Sequence, residues 1–120
     1  MHELSIVRTL LREVELIAAA ELGDVVEIHL GCGELSGYEP ECLRTAFAQL
    51  QGPGRLEYAR LVIHPIPLAA VCEQCSGEFE PADFRRACPQ CGSPHTHFAR
   101  GTELWLESIV LDETRKATVP

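Results

Sequence analysis

Positive charge is scarce in this chain. Its 120 residues carry 10 Lys and Arg against 18 Asp and Glu, a formal charge of −8. A nucleic-acid binder normally spreads a basic surface over the phosphates it neutralises, so that function is disfavoured; cations or a basic protein partner suit the balance better. Long apolar runs are missing too. Arg8, Arg12, Glu13 and Glu15 interrupt the first apolar stretch, which excludes a membrane span of about 20 mostly apolar residues. The opening Met1-His2-Glu3 is acidic where a secretory signal is basic, and the chain is expected in the cytoplasm, where thiols stay reduced. No Ser/His/Asp arrangement stands out, which leaves little case for an enzyme.

What is present is enough for one small domain with an appendage. Hydrophobic residues make up 46%, an ordinary globular share, but a core of this size is marginal and profits from an added staple. Val7, Leu10, Leu11, Val14, Ile17 and Ala18 recur at helical spacing and predict a helix over 4–22, stopped at Gly23. Val26, Ile28 and Leu30 alternate as in a half-buried strand, and Gly31–Gly37 reads as a turn-rich connection. Pro40 suits the first turn of a second helix to Leu50, with Leu43, Ala46, Phe47 and Leu50 as its buried stripe. Leu56–Ile63 reads as a strand, Pro65 and Pro67 as extended chain, and Glu103–Leu111 as a last strand.

Between these lies a change of composition. From Cys72 to about His97, four cysteines, prolines and polar residues replace the apolar pattern, so that piece cannot build a core alone. The expected fold is α+β: a small mixed sheet with two helices, plus an inserted zinc-ribbon-like subdomain with a four-cysteine site. The boundaries are set at 1–71 and 99–115 for the α+β domain and 72–98 for the insert.

Cys72-x2-Cys75-x12-Cys88-x2-Cys91 is the strongest local signal. Two residues between cysteines let both thiolates of a tight turn face one ion, and two such knuckles give the sulfur cage that zinc favours. The site is closed, so it contributes folding energy and not catalysis. Tetrathiolate spacing also fits iron. A zinc-ribbon protein- or nucleic-acid-interaction module is the functional alternative, although Glu73, Glu78, Glu80 and Asp83 cancel Arg85, Arg86 and Arg100. His95 and His97 follow the second knuckle; they read either as exposed loop histidines or as ligands that step in when a thiolate leaves. Cys32 and Cys42 are isolated in sequence and expected as buried thiols.

The first three residues form a second donor set. The Met1 amine, the deprotonated His2 amide and the His2 imidazole can close adjacent chelate rings on one ion, with Glu3 completing four donors. Nitrogen-rich planar sites of this kind suit nickel(II) or copper(II). Amine and imidazole must lose protons before binding, so the site releases its ion readily.

Three stretches together resemble the HypA/HybF family of hydrogenase maturation nickel metallochaperones: Met1-His2-Glu3-Leu4-Ser5-Ile6-Val7, Gly33-Glu34-Leu35-Ser36-Gly37-Tyr38-Glu39-Pro40-Glu41, and the cysteine quartet with Gly92-Ser93 and Gly101-Thr102-Glu103-Leu104. Tyr38 stands where many relatives carry a small aliphatic residue. The resemblance implies His2 as the essential nickel ligand with Glu3 and the Met1 amine beside it, and Cys72, Cys75, Cys88 and Cys91 as ligands of a structural zinc. It further implies a HypB-type GTPase as a separate partner, consistent with the lack of a Gly-x-x-x-x-Gly-Lys loop here. The implied recipient is the hydrogenase large subunit, with urease maturation proteins as further partners. Gly33–Glu41 contains no obvious catalytic group and serves either partner docking or the positioning of the second helix.

Overall fold

The computed structural model describes residues 2–81 and 87–112, and for His2 the backbone alone. Helix α1 runs His2–Ala18, strand β1 Asp24–Gly33 and helix α2 Pro40–Leu50. Strands β2 Arg60–Ile66, β3 Ala69–Cys72, β4 Glu78–Phe79, β5 Thr96–Arg100 and β6 Leu104–Asp112 complete the described elements. They form two three-stranded sheets, ordered β2-β1-β6 and β4-β3-β5. The α+β expectation with two helices and a cysteine-bearing subdomain holds. Among the described residues no helix is long and apolar enough to cross a membrane.

The chain divides into two compact units, each discontinuous in sequence: residues 1–31, 38–64 and 105–120, and residues 32–37 and 65–104. The unit around the cysteines thus takes in more chain than the 72–98 read from composition. The cause is strand pairing. β3 begins before Cys72 and pairs antiparallel with both β4 and β5, so Ala69 and Ala70 face Arg100 and Phe98 across the ladder. Gly33 N–H donates to the Glu103 carbonyl (2.9 Å) and Leu35 N–H to the Gly101 carbonyl (2.7 Å), which brings 32–37 into the same unit. The backbones there are too close for side chains: a Cβ on Gly33 would stand 2.5 Å from the Gly101 carbonyl oxygen, and Gly101 itself has φ +94°.

In the first unit α1 packs against α2. Val7, Leu10, Val14 and Ala18 of α1 are buried with Leu43, Ala46 and Phe47 of α2, as the spacing predicts. Ile17, expected in the same stripe, is 54% exposed. Ile28 and Leu30 occupy the buried face of β1, but Val25, not Val26, is the buried residue at its start. The reason lies in residues 53–59, which form bends and turns although the stretch from Leu56 is expected as strand: Val25 N–H donates to the Arg55 carbonyl (3.0 Å), and Leu56 and Ala59 are buried there without a ladder. Gln51 Nε2 holds those turns by donating to the carbonyls of Leu56 and Ala59, both 2.8 Å. Gly31 to Gly33, expected as a turn, continues β1. β2 consequently starts at Arg60 and extends through Pro65 to Ile66.

Candidate metal centre

Two turns of near-identical construction place the four thiols. In the first, Ser76 N–H donates to the Cys72 carbonyl (2.9 Å) and Cys72 N–H to the Gly77 carbonyl (2.9 Å). In the second, Gly92 N–H donates to the Cys88 carbonyl (2.8 Å) and Cys88 N–H to the Ser93 carbonyl (3.0 Å). Each turn passes a left-handed residue four positions after its first cysteine: Gly92 at φ +75°, and Ser76 at φ +63°. Cys72 ends β3, so the first knuckle is fixed to the second sheet.

The sulfurs converge. Cys72 Sγ lies 3.5 Å from Cys91 Sγ and Cys75 Sγ 3.6 Å from Cys88 Sγ, and all four lie within 4.8 Å of one another. A tetrahedral ion with metal–sulfur bonds near 2.3 Å sets its sulfurs about 3.8 Å apart, so the cage needs little change to close on zinc. Among the described residues this is the one group of three or more donors so tightly gathered. Cys72 and Cys88 are buried, Cys75 and Cys91 exposed.

Four thiols this close cannot all ionise without a cation. The Cys75 amide donates to Cys72 Sγ (3.4 Å) and, with the Gln74 amide and the neighbouring thiols, pulls the Cys72 thiol down to about 6 against the opposing effect of burial. Cys88 is lowered in the same way, first by the Cys91 amide. The Ser93 amide favours the Cys91 thiolate, but the Cys72 sulfur, burial and the other thiols outweigh it and push Cys91 up to about 11. The Gly77 amide is likewise overcome at Cys75, which is raised. In each knuckle the first cysteine is thus shifted towards the thiolate and the second towards the thiol, whose proton a dication displaces.

His95 and His97 are both exposed. His97 Nδ1 is 3.3 Å from Glu73 Oε2, and His95 N–H donates to Ser93 Oγ (3.0 Å). Cys32 is buried as expected; Cys42 is exposed, because it sits on α2 beside the Leu43, Ala46, Phe47 stripe and outside it. Met1 and the His2 side chain lie outside the described residues. Glu3, in the first turn of α1, is half-buried and borders a groove of about 270 Å³ with Leu4, Glu41, Cys42, Thr45, Ala46 and Gln49. The structure thus brings the quartet together and sets Glu3 on one groove with Glu41, a residue the sequence alone does not single out.

A short α+β chain with a gathered, fully thiol-lined cation cage defines a metal-centre protein whose cage leaves no vacant position for substrate. Comparison with known proteins narrows this class. Residues 1–111 match the family described as hydrogenase/urease nickel incorporation metallochaperone, HypA. The hydrogenase maturation factor HypA of Syntrophus aciditrophicus is 39% identical over 104 residues, covering 86% of this chain and 91% of the relative. That of Roseiflexus sp. is 38% identical, covering 98% of both chains. Among solved structures, a HypA protein in solution has a TM-score of 0.75 at 26% identity, covering 94% of this chain and 98% of the other. The nickel metallochaperone HypA from Helicobacter pylori has a TM-score of 0.68 at 25% identity, covering 91% and 96%. The chain belongs to the HypA family. This is a family of maturation factors and not of catalytic enzymes, and the interaction-module alternative is set aside.

Proposed function

We propose that the chain captures nickel(II) at its amino end and delivers it for nickel-iron hydrogenase maturation, while zinc(II) in the Cys72, Cys75, Cys88, Cys91 cage holds the fold. The observation that carries this reading is the family match over residues 1–111, which takes in both the amino-terminal triplet and the quartet. The nickel ligands are the Met1 amine, the His2 amide and imidazole, and Glu3. Helix geometry supports them. The first amides of an α-helix have no intrahelical partner, so those of His2 and Glu3 at the head of α1 can give up protons to a metal without breaking a helical hydrogen bond. The positive end of the helix dipole opposes a cation. Deprotonated amides and the carboxylates of Glu3 and Glu41 on the same groove oppose that effect and carry more charge.

Handover proceeds by ligand exchange at a docked recipient, protonation of the imidazole and amine aiding release. The partners in this reading are a HypB-type GTPase and the hydrogenase large subunit, with urease maturation proteins as further candidates, and the compartment is the cytoplasm. Calorimetric titration with nickel, alongside metal analysis, tests the proposal. His2→Ala and an amino-terminal extension abolish the amino-end nickel site and leave one zinc in place. Undiminished nickel stoichiometry in both variants overturns the assignment.

A further inference from the structure

The first unit carries a second cluster of nitrogen and oxygen donors, far from the amino end in sequence. Glu27 and His29 project from one face of β1, His64 from β2 and Glu107 from β6, the three adjacent strands of one sheet. His29 Nε2 is 2.8 Å from Glu27 Oε1, and His29 Nδ1 is 2.8 Å from His64 Nε2. The two imidazoles are tilted by 12° with centroids 5.0 Å apart, which together with the short nitrogen–nitrogen contact means rings joined edge to edge. His64 Nε2 lies 4.0 Å from Glu107 Oε1.

These contacts assign the protons. A carboxylate accepts only, so His29 donates through Nε2 to Glu27 and, when neutral, presents a bare Nδ1 lone pair to the N–H of His64 Nε2. Glu27 is itself held by Arg60, whose Nη2 donates to Oε2 at 2.8 Å. A histidine whose far nitrogen is fixed by an anchored carboxylate, with its near nitrogen turned towards a second imidazole, is how imidazole metal ligands are oriented. Glu107 reaches the same face because residue 31 has no side chain: a Cβ there would stand 2.7 Å from Glu107 Oε2 and 2.9 Å from the Trp105 indole.

We propose that His29 Nδ1, His64 Nε2 and Glu107 form a second cation site for a divalent first-row transition ion of the kind imidazole binds, nickel(II) serving as the probe, with Glu27 and Arg60 as positioning residues. Two nitrogens bound at right angles with bonds near 2.0 Å lie about 2.8–2.9 Å apart, whereas tetrahedral binding sets them about 3.3 Å apart. Here the 2.8 Å separation is that of an N–H···N hydrogen bond, so an ion has to displace that proton and turn the His64 nitrogen towards itself before either geometry applies. The cluster is more open than the cysteine cage, so binding pivots His64, 45% exposed, and draws in Glu107, 30% exposed. His64 shifts its proton from Nε2 to Nδ1 through solvent, and both rings bind neutral.

Nickel(II) titration of the zinc-loaded full chain tests the site, with His2→Ala, His64→Gln, the two combined, and Glu107→Gln. His2→Ala keeps one nickel equivalent, the bound ion broadens the ring-proton resonances of His29 and His64, and adding His64→Gln removes both effects. Glu107→Gln, which leaves the histidine pair intact, weakens this site tenfold or more. Circular dichroism checks that each variant is folded. Residual nickel that survives His64→Gln, no residual nickel in His2→Ala, or ring resonances that respond to pH and not to nickel, each overturns the proposal. Nickel binding unchanged by His2→Ala but lost in His64→Gln would instead refute the amino-terminal reading and keep this one.

Discussion

Ser76 and Gly92 occupy the same place in their two knuckles, but only one of them has a side chain to accommodate at positive φ. The left-handed conformation costs a residue with a Cβ roughly 1–2 kcal/mol, partly offset by the greater unfolded-state freedom of glycine. Ser76→Gly is therefore expected to raise unfolding stability by up to about 1 kcal/mol, read from the denaturant midpoint of the zinc-loaded chain. Glu27 offers a charge-based counterpart. The His29 hydrogen bond first, then Arg60, hold its carboxyl below the usual 4.5. A carboxyl lowered in the folded state contributes stability above its unfolded value and loses it as pH falls through the folded one. Glu27→Gln should lower the thermal midpoint at pH 7, and the gap from the parent chain should shrink as pH drops below 4.5. A gap that stays constant down to about pH 2 contradicts this.

At the scale of elements, the end of α1 depends on a residue 37 positions later. Arg55 donates to the carbonyls of Ala18 (2.7 Å), the last residue of α1, and of Gly23 (2.9 Å) and Glu21 (3.1 Å) just beyond it, tying the helix end to the chain that follows. No basic residue sits in the last turn of α1 itself, so this distant guanidinium provides the favourable charge. Arg55→Ala should cost about 1–3 kcal/mol, allowing for its partial exposure, and loosen amide exchange first in residues 15–25. That interaction also marks where sequence reading ran out. α2 was legible from Pro40 to Leu50 because a proline start, an apolar stripe and a glycine stop agree. The spacing carries α1 four residues past its end at Ala18, since what ends it is a long-range contact without local signature, and starts it two residues after His2. β3 and β5 escaped notice because Ala69–Cys72 and Thr96–Arg100 are short and flank the cysteines, and their pairing follows from how the knuckles fold. The quartet was legible because knuckle spacing is itself geometry. The His29–His64 contact was not, since residues 35 positions apart in sequence announce nothing until strand order joins them.

For the whole molecule, the two units differ in what sustains them. The first buries a continuous apolar set from α1, α2, β1 and residues 56–61; the buried residues of the second include Cys72 and Cys88 themselves. A strong chelator should therefore abolish hydrogen-exchange protection in β3 and β5 while α1 and α2 keep theirs. Metal uptake should also be linked to protons. With Cys72 at about 6 and Cys91 at about 11 before binding, zinc added near pH 7 meets a largely ionised Cys72 and has to displace the proton of Cys91. Release, measured by titration in buffers of different ionisation enthalpy, should fall as pH rises towards about 11 and affinity should rise. A pH-independent release would show that the thiols do not share charge in this way.

Both units are sewn from separated pieces, and the sheet β2-β1-β6 takes its third strand from a point in the sequence far beyond the other two. During synthesis β6 leaves the ribosome only after the whole cysteine-bearing unit has emerged. The sheet cannot close until then, so a product stalled between β2 and β6 would display helices and half a sheet to the quality-control machinery. Chains cut short of that strand can never assemble the triplet at all.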